Sequence, residues 1–151
     1  MVAAKENTPN FTPEEYFAWE EQQTEKYEYI DGEVYAMGGG SVNHGRIAIR
    51  FTAMLDAHLE GRNYVTGNSD IKVNIAETPS YVYPDASVTC NDDDRSNTSY
   101  FTYPCLIIEV LSKSTEAYDR GHKFRLYRKN PILQDYLLVS STNIEIDLYH
   151  K

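Results

Sequence analysis

The sequence predicts a single α/β domain in which a mixed central sheet carries helices on both faces. Three observations predict it. The run CLIIEVL at 105–111 is apolar at both strand parities, the pattern of a strand covered above and below. Apolar residues recur at helical spacing on either side of that run, in the segments leading to Gly61 and over 114–129. Short alternating runs bounded by turn signals mark more strands than helices, and with one strand covered twice this fits an α/β/α layering better than an all-β barrel. The chain's 151 residues contain no repeat or long polar tract, so one compact domain over 1–151 is expected.

In chain order, Thr12 as N-cap and Pro13 at the first helical position open a short helix bearing Tyr16, Phe17 and Trp19, to about residue 22. The run YEYIDGEVYAM at 27–37 alternates around Asp31-Gly32, a strong hairpin signal. Gly38, Gly39 and Gly40 break the chain, and Ser41 caps an amphipathic helix with Ile47, Phe51, Met54, Leu55, His58 and Leu59 at helical spacing. Runs at 63–66 and 70–76 around Gly67-Asn68-Ser69 read as a second hairpin, and 81–90 as one further strand. An acidic loop at 91–99 leads into CLIIEVL. The helix over 114–129 is closed by Pro131, and strands at 135–140 and 144–149 flank Ser141-Thr142-Asn143.

Hydrophobic residues make up 41% and charged residues 25%, enough apolar material for a core without staples. Cys90 and Cys105 are too few for a disulfide framework and lack zinc-site spacing, which suits a reducing compartment. Met1 to Asn10 lacks the apolar segment of a leader, and no stretch is long enough to span a bilayer, so a cytoplasmic protein without membrane contact is expected. The formal charge of −9, from 23 acidic and 14 basic side chains, opposes non-specific binding to nucleic acid. A nucleic-acid partner therefore requires locally concentrated basic residues or a metal that offsets an acidic site.

Glu109 is the one charge inside CLIIEVL, where an unpaired carboxylate is costly. Two readings stand: a metal ligand, or a structural ion pair with a Lys or Arg of the following helix. Asp85, directly after Pro84 in YVYPDASV, favours the first, because carboxylates from neighbouring strands can converge on one hard cation such as magnesium. Its plainer reading is an edge-strand or bulge feature set by Pro84. Asp119, Lys123 and Tyr127 are spaced by four on one helix face, from which Lys123 can reach the carboxylates; an ordinary exposed Asp-Lys pair is the alternative. Arg120, Lys123, Arg125, Arg128 and Lys129 give that helix a basic patch, with Arg120, Arg125 and Arg128 as candidate phosphate contacts, although such charges also complement a helix C-terminus. Glu28 is a candidate for a further metal contact, and His44 for positioning a phosphate or water. Single residues of these types near element ends are more often capping or solvated. The three glycines lack the Lys-Ser/Thr of a phosphate-binding loop and read as a hinge or close-approach loop. The 13 tyrosines read as packing.

Together YEYIDGEVYAM, SVNHGRI, NSDIKVNI, YPDASV and above all LIIEVLSKSTEAYDRGHKFRLYRK resemble the Uma-two family, within the PD-(D/E)XK nuclease superfamily, over nearly the whole chain. The resemblance implies a restriction-endonuclease-like fold, Mg2+ or Mn2+ at the carboxylates and a nucleic-acid substrate, DNA in the first place. It matches Asp85 to the superfamily's motif aspartate and Glu109 to its acidic partner. Leu111 stands where the motif lysine would be, and Lys123 is the expected replacement, with Lys113 a weaker one. The chain ends at Tyr149-His150-Lys151, where relatives continue, so a fragment or short form is expected, and a homodimer built on the last sheet edge stays open. The expected function is metal-dependent endonucleolytic hydrolysis by in-line attack of water on phosphorus, with Asp85, Glu109 and Lys123 as catalytic residues and Glu28, His44, Asp119 and Tyr127 supporting them. The rivals are a catalytically idle binding or assembly module on the same fold, and a hydrolase of small phosphoesters.

Overall fold

The computed structural model describes residues 4–5, 9–75 and 77–151. The expectation of no leader over Met1 to Asn10 lies largely outside these residues, and so does Ala76 at the end of the strand expected at 70–76. The described strands are β1 (Ala4–Lys5), β2 (Tyr27–Ile30), β3 (Glu33–Ala36), β4 (Val65–Asn68), β5 (Lys72–Ile75), β6 (Ser80–Val82), β7 (Ala86–Thr89), β8 (Tyr100–Phe101), β9 (Leu106–Leu111), β10 (Asp135–Ser140) and β11 (Ile146–His150). They form two sheets, in the orders β1-β3-β2-β6-β5-β8 and β11-β10-β9-β7-β4. Each is mixed, because β5 pairs with β8, and β9 with β10, in parallel.

Thr12 closes a capping box with Glu15 at the start of α1 (Pro13–Glu20), so the helix begins where Thr-Pro places it. Its Tyr16 is buried against Tyr29, Val34 and Tyr81, with Phe17, Trp19 and Tyr27 packed around them. The hairpin of β2 and β3 turns on Asp31 and Gly32, both at positive φ (50° and 90°), the combination a two-residue type I′ turn demands. Ser41 accepts the His44 N–H and caps α2 (Val42–Leu59). Ile47, Phe51 and Leu55 of α2 cover Ala86, Ile108 and Val139 on one face of the second sheet. Met54 and His58 fall outside that stripe and are exposed.

The opposite face of β9 is covered by a helical run. Here α4 (Glu116–Tyr118), a π-helical segment (Asp119–Lys123) and α5 (Phe124–Tyr127) follow one another end to end. Leu126 and Tyr127 pack on Ile107, Leu111, Tyr136 and Leu138, in a core that also takes in Ile30, Val73, Ile75, Val82 and Phe101 of the first sheet. β9 is thus covered on both faces, which is what its uninterrupted apolar run requires.

Two expectations are corrected. The runs around Gly67-Asn68-Ser69 do not form a hairpin: β4 pairs with β7 in one sheet and β5 with β6 and β8 in the other. β5 instead turns back on the next strand, β6, while the partner of β4 is the more distant β7. The segment 81–90 is not one strand either. It breaks at Tyr83-Pro84-Asp85, where Pro84 cannot donate a ladder hydrogen bond, and the chain crosses from the first sheet (β6) to the second (β7). The acidic loop contains a short helix, α3 (Asp92–Ser96), stapled by buried Asp94, which accepts from Thr89 and from the N–H groups of Thr102 and Tyr103.

Candidate active site

The crossing at Pro84 determines where Asp85 sits. It stands at the rim of the second sheet, one residue before β7, and its Oδ2 accepts the Val110 N–H at 2.7 Å. Because Ala86 is paired with Ile108, the next antiparallel register position sets Asp85 opposite Glu109. His44, in the first turn of α2, brings Nε2 to 3.2 Å from Asp85 Oδ2. Asp85 is almost fully buried. Burial pushes its pKa up, but the nearby His44, the Val110 N–H and the Lys123 charge outweigh that and leave it below the ordinary carboxylate value.

Glu109, Glu28 and Lys123 form one buried cluster. Lys123 Nζ lies 2.8 Å from Glu28 Oε1 and 3.0 Å from Glu109 Oε1. Tyr127 donates its hydroxyl to the same Glu109 oxygen at 2.8 Å, and Glu28 Oε1 also accepts the Tyr83 N–H at 3.0 Å. Burial pushes the Glu109 carboxyl up to about 8; Lys123 opposes this, while Asp119, Asp85 and Glu28 add to it. The Lys123 ammonium would be penalised by the same burial, but Glu109, Glu28 and Asp119 hold its pKa well above the ordinary lysine value. Asp119 is buried to 1% exposure, and neither carboxylate oxygen has a hydrogen-bond partner among the described residues. Its carboxyl is raised by burial, against the pull of Lys123.

The structure therefore brings Glu28, Glu109, Lys123 and Tyr127 into direct contact, sets Asp85 and His44 beside each other, and buries Asp119 within electrostatic reach of Lys123 and Glu109. Lys113 is exposed. Of the basic patch, Arg120 is half-buried and paired with Glu116 and Asp147 at 2.9 and 2.6 Å. Arg125 and Arg128 are exposed, on the side of α5 away from buried Leu126 and Tyr127. The Val110 and Tyr83 amides could not be found from sequence, because a backbone donor has no residue signature.

Asp85 and His44 line an open cleft of about 980 Å³ between the Gly38-Gly39-Gly40 loop, α2 and Thr66 to Ile71. Among the described residues, no group of three or more His, Cys, Asp and Glu side chains could hold a metal ion. The donor chemistry nonetheless fits magnesium, which keeps several waters and takes only one or two carboxylates from a protein. Four buried carboxyl groups (Glu28, Asp85, Glu109 and Asp119) lie about the single ammonium of Lys123, a set of hard oxygen donors that suits a divalent cation, whose charge would favour the ionised form of Glu109 and Asp119.

Residues 13–151 match the Uma2 family, described as "Putative restriction endonuclease". The chain belongs to the Uma2 family. Its relatives include the uncharacterized protein slr1290 of Synechocystis sp. (strain ATCC 27184 / PCC 6803 / Kazusa), 61% identical over 95% of this chain and 75% of that protein. The uncharacterized protein sll1609 of the same organism is 39% identical over the whole of this chain and 85% of its own length. A Uma2-like fold is also seen in a crystal structure from Anabaena variabilis ATCC 29413, "a putative nuclease belonging to DUF820". It superposes with a TM-score of 0.69 at 14% identity, covering 93% of this chain and 85% of that one. Among the described residues of this Uma2 chain, no helix is long and apolar enough to cross a membrane.

Proposed function

We propose that the chain is a Mg2+- or Mn2+-dependent endonuclease that hydrolyses phosphodiester bonds in DNA. The observation that carries this reading is the cluster of four buried carboxylates around one lysine, with Asp85 opening onto the cleft. Asp85 and Glu109 are the residues that would hold the cation, with the Val110 N–H on one Asp85 oxygen and Lys123 and Tyr127 on one Glu109 oxygen. The chemistry supplied there by a bound cation would be acidification of water and compensation of charge on the phosphoryl oxygens. The ion's charge is also the local positive charge that a −9 protein needs in order to approach phosphate. The chain's own groups do the rest. Tyr127 fixes the Glu109 carboxyl group, and the Val110 N–H fixes Asp85. His44 stands at the cleft wall, where it can orient water or a phosphate oxygen. Lys123, held protonated between two carboxylates, acts as a positive charge toward the transition state and not as a base. The family's description supports a nucleic-acid substrate.

A second reading, a non-catalytic binding or assembly module, draws on one observation. Lys123 already bridges Glu28 and Glu109, so that part of the cluster is compensated without metal. Incubation with supercoiled plasmid and Mg2+ or Mn2+ separates the two. The enzyme reading expects nicked or linear product from the wild type, reduced on the order of 100-fold in both Asp85→Ala and Glu109→Ala. Intact plasmid, with no calorimetric heat of metal binding, leaves the module.

A further inference from the structure

Asp119 is a fully buried carboxylate whose burial is eased by the Lys123 charge and by the Thr115 side chain. It is 1% exposed, its backbone carbonyl is fixed by the Tyr136 hydroxyl at 3.0 Å, and both carboxylate oxygens lack hydrogen-bond partners among the described residues. An ionised carboxylate so placed is costly unless a cation reaches it. It opens the π-helical segment that Lys123 closes, so the two side chains lie about one wide turn apart, and their charges act on each other. A π turn inside a helical run is a local irregularity that recurs at functional sites.

Lys123, meanwhile, is paired with Glu109, one of the two carboxylates that the proposed reading needs. Its ammonium is 3.0 Å from Glu109, so a divalent cation on the same carboxylate would face a like charge at close range. Either the cation binds weakly or the lysine moves. Four flexible methylenes let the ammonium turn while its backbone stays put.

We infer that Asp119 is the alternative seat of the Lys123 ammonium, which bridges Glu28 and Glu109 when Asp85 and Glu109 hold no cation and turns to Asp119 when one binds. This rests on the metal-dependent reading above and makes Asp119 a positioning residue, acting only through Lys123. Glu28 keeps the Tyr83 N–H in both arrangements, so it anchors one end of the exchange.

The test is a double-mutant cycle read by calorimetric titration of Mn2+ into the full chain: wild type, Asp119→Asn, Lys123→Gln and the double variant. Asp119→Asn is expected to weaken Mn2+ binding about tenfold in the presence of Lys123 and by less than twofold in the Lys123→Gln background. Asp119→Glu, which restores a carboxylate, is expected to recover most of the affinity and guards against a folding artefact. Equal weakening by Asp119→Asn in both backgrounds would make Asp119 a direct ligand or a general negative charge and would overturn the inference, as would no weakening in either. Failure of the metal reading looks different: wild-type chain that binds no Mn2+, or binding unchanged by Asp85→Ala and Glu109→Ala, removes both.

Discussion

Glu109 shows how one residue can report on its surroundings through pH. Burial lifts its carboxyl from an ordinary 4.5 to about 8, against the pull of Lys123. A carboxyl whose folded-state pKa is raised contributes stability that is fully present below its unfolded value and is lost as pH rises through the folded one. Without divalent cations, the thermal midpoint is therefore expected to fall between about pH 4.5 and 8, and Glu109→Gln is expected to flatten that fall. A Glu109→Gln profile parallel to the wild type would assign the proton to another group. Asp85 has the opposite sign. Its lowered carboxyl contributes stability above its unfolded value that is lost only in acid. These residues were legible in the sequence for a physical reason: a charge inside an apolar strand, or after a proline at a strand break, must be compensated. Lys123 and Tyr127 were legible through helical spacing. The bridging geometry of Lys123 was not, because spacing says which face a side chain shares and not which oxygen it reaches.

At the scale of elements, the helix starts and the first hairpin followed from cap and turn chemistry. Thr12-Pro13, Ser41 and Asp31-Gly32 each satisfy a local backbone demand. The pairing of β4 with β7, and the division of 81–90 between two sheets, did not follow, because strand partners are chosen by long-range packing that no local signal encodes. The glycine loop before α2 is the element whose packing bears most directly on the site. A Cβ at Gly40 would stand 2.7 Å from His44 Nδ1 and 2.9 Å from its Cγ, whereas one at Gly39 meets nothing within 4 Å. Gly40→Ala is therefore expected to cost about 1–3 kcal/mol in overpacking and to displace His44 from Asp85. Gly39→Ala, measured alongside by denaturant melts and by the His44 ring signals in NMR, is expected to leave both unchanged. Equal effects from the two substitutions would show that the loop acts through backbone entropy alone.

Across the whole molecule, the second sheet supplies Asp85 and Glu109, the helical run on one face supplies Lys123, Asp119 and Tyr127, α2 on the other supplies His44, and the first sheet supplies Glu28. No single layer holds the site, so it exists only when all of them are docked. The layered α/β arrangement could be read from CLIIEVL and its flanking helices. The division of the strands into two mixed sheets could not, since both have the same local composition. The same layering links the site to the aromatic cluster under α1. Tyr27, next to Glu28 in β2, sets its ring 4.7 Å from the indole of Trp19 in an edge-on contact, and Trp19 is the only tryptophan in the chain. When the lysine partner of Glu28 turns away, the change in local charge lies one residue along the strand from the contact between Tyr27 and a lone fluorophore. Emission from the unlabelled protein should then shift as Mg2+ is added and stay still in Glu28→Gln, so the molecule carries its own optical gauge of whether the centre is filled.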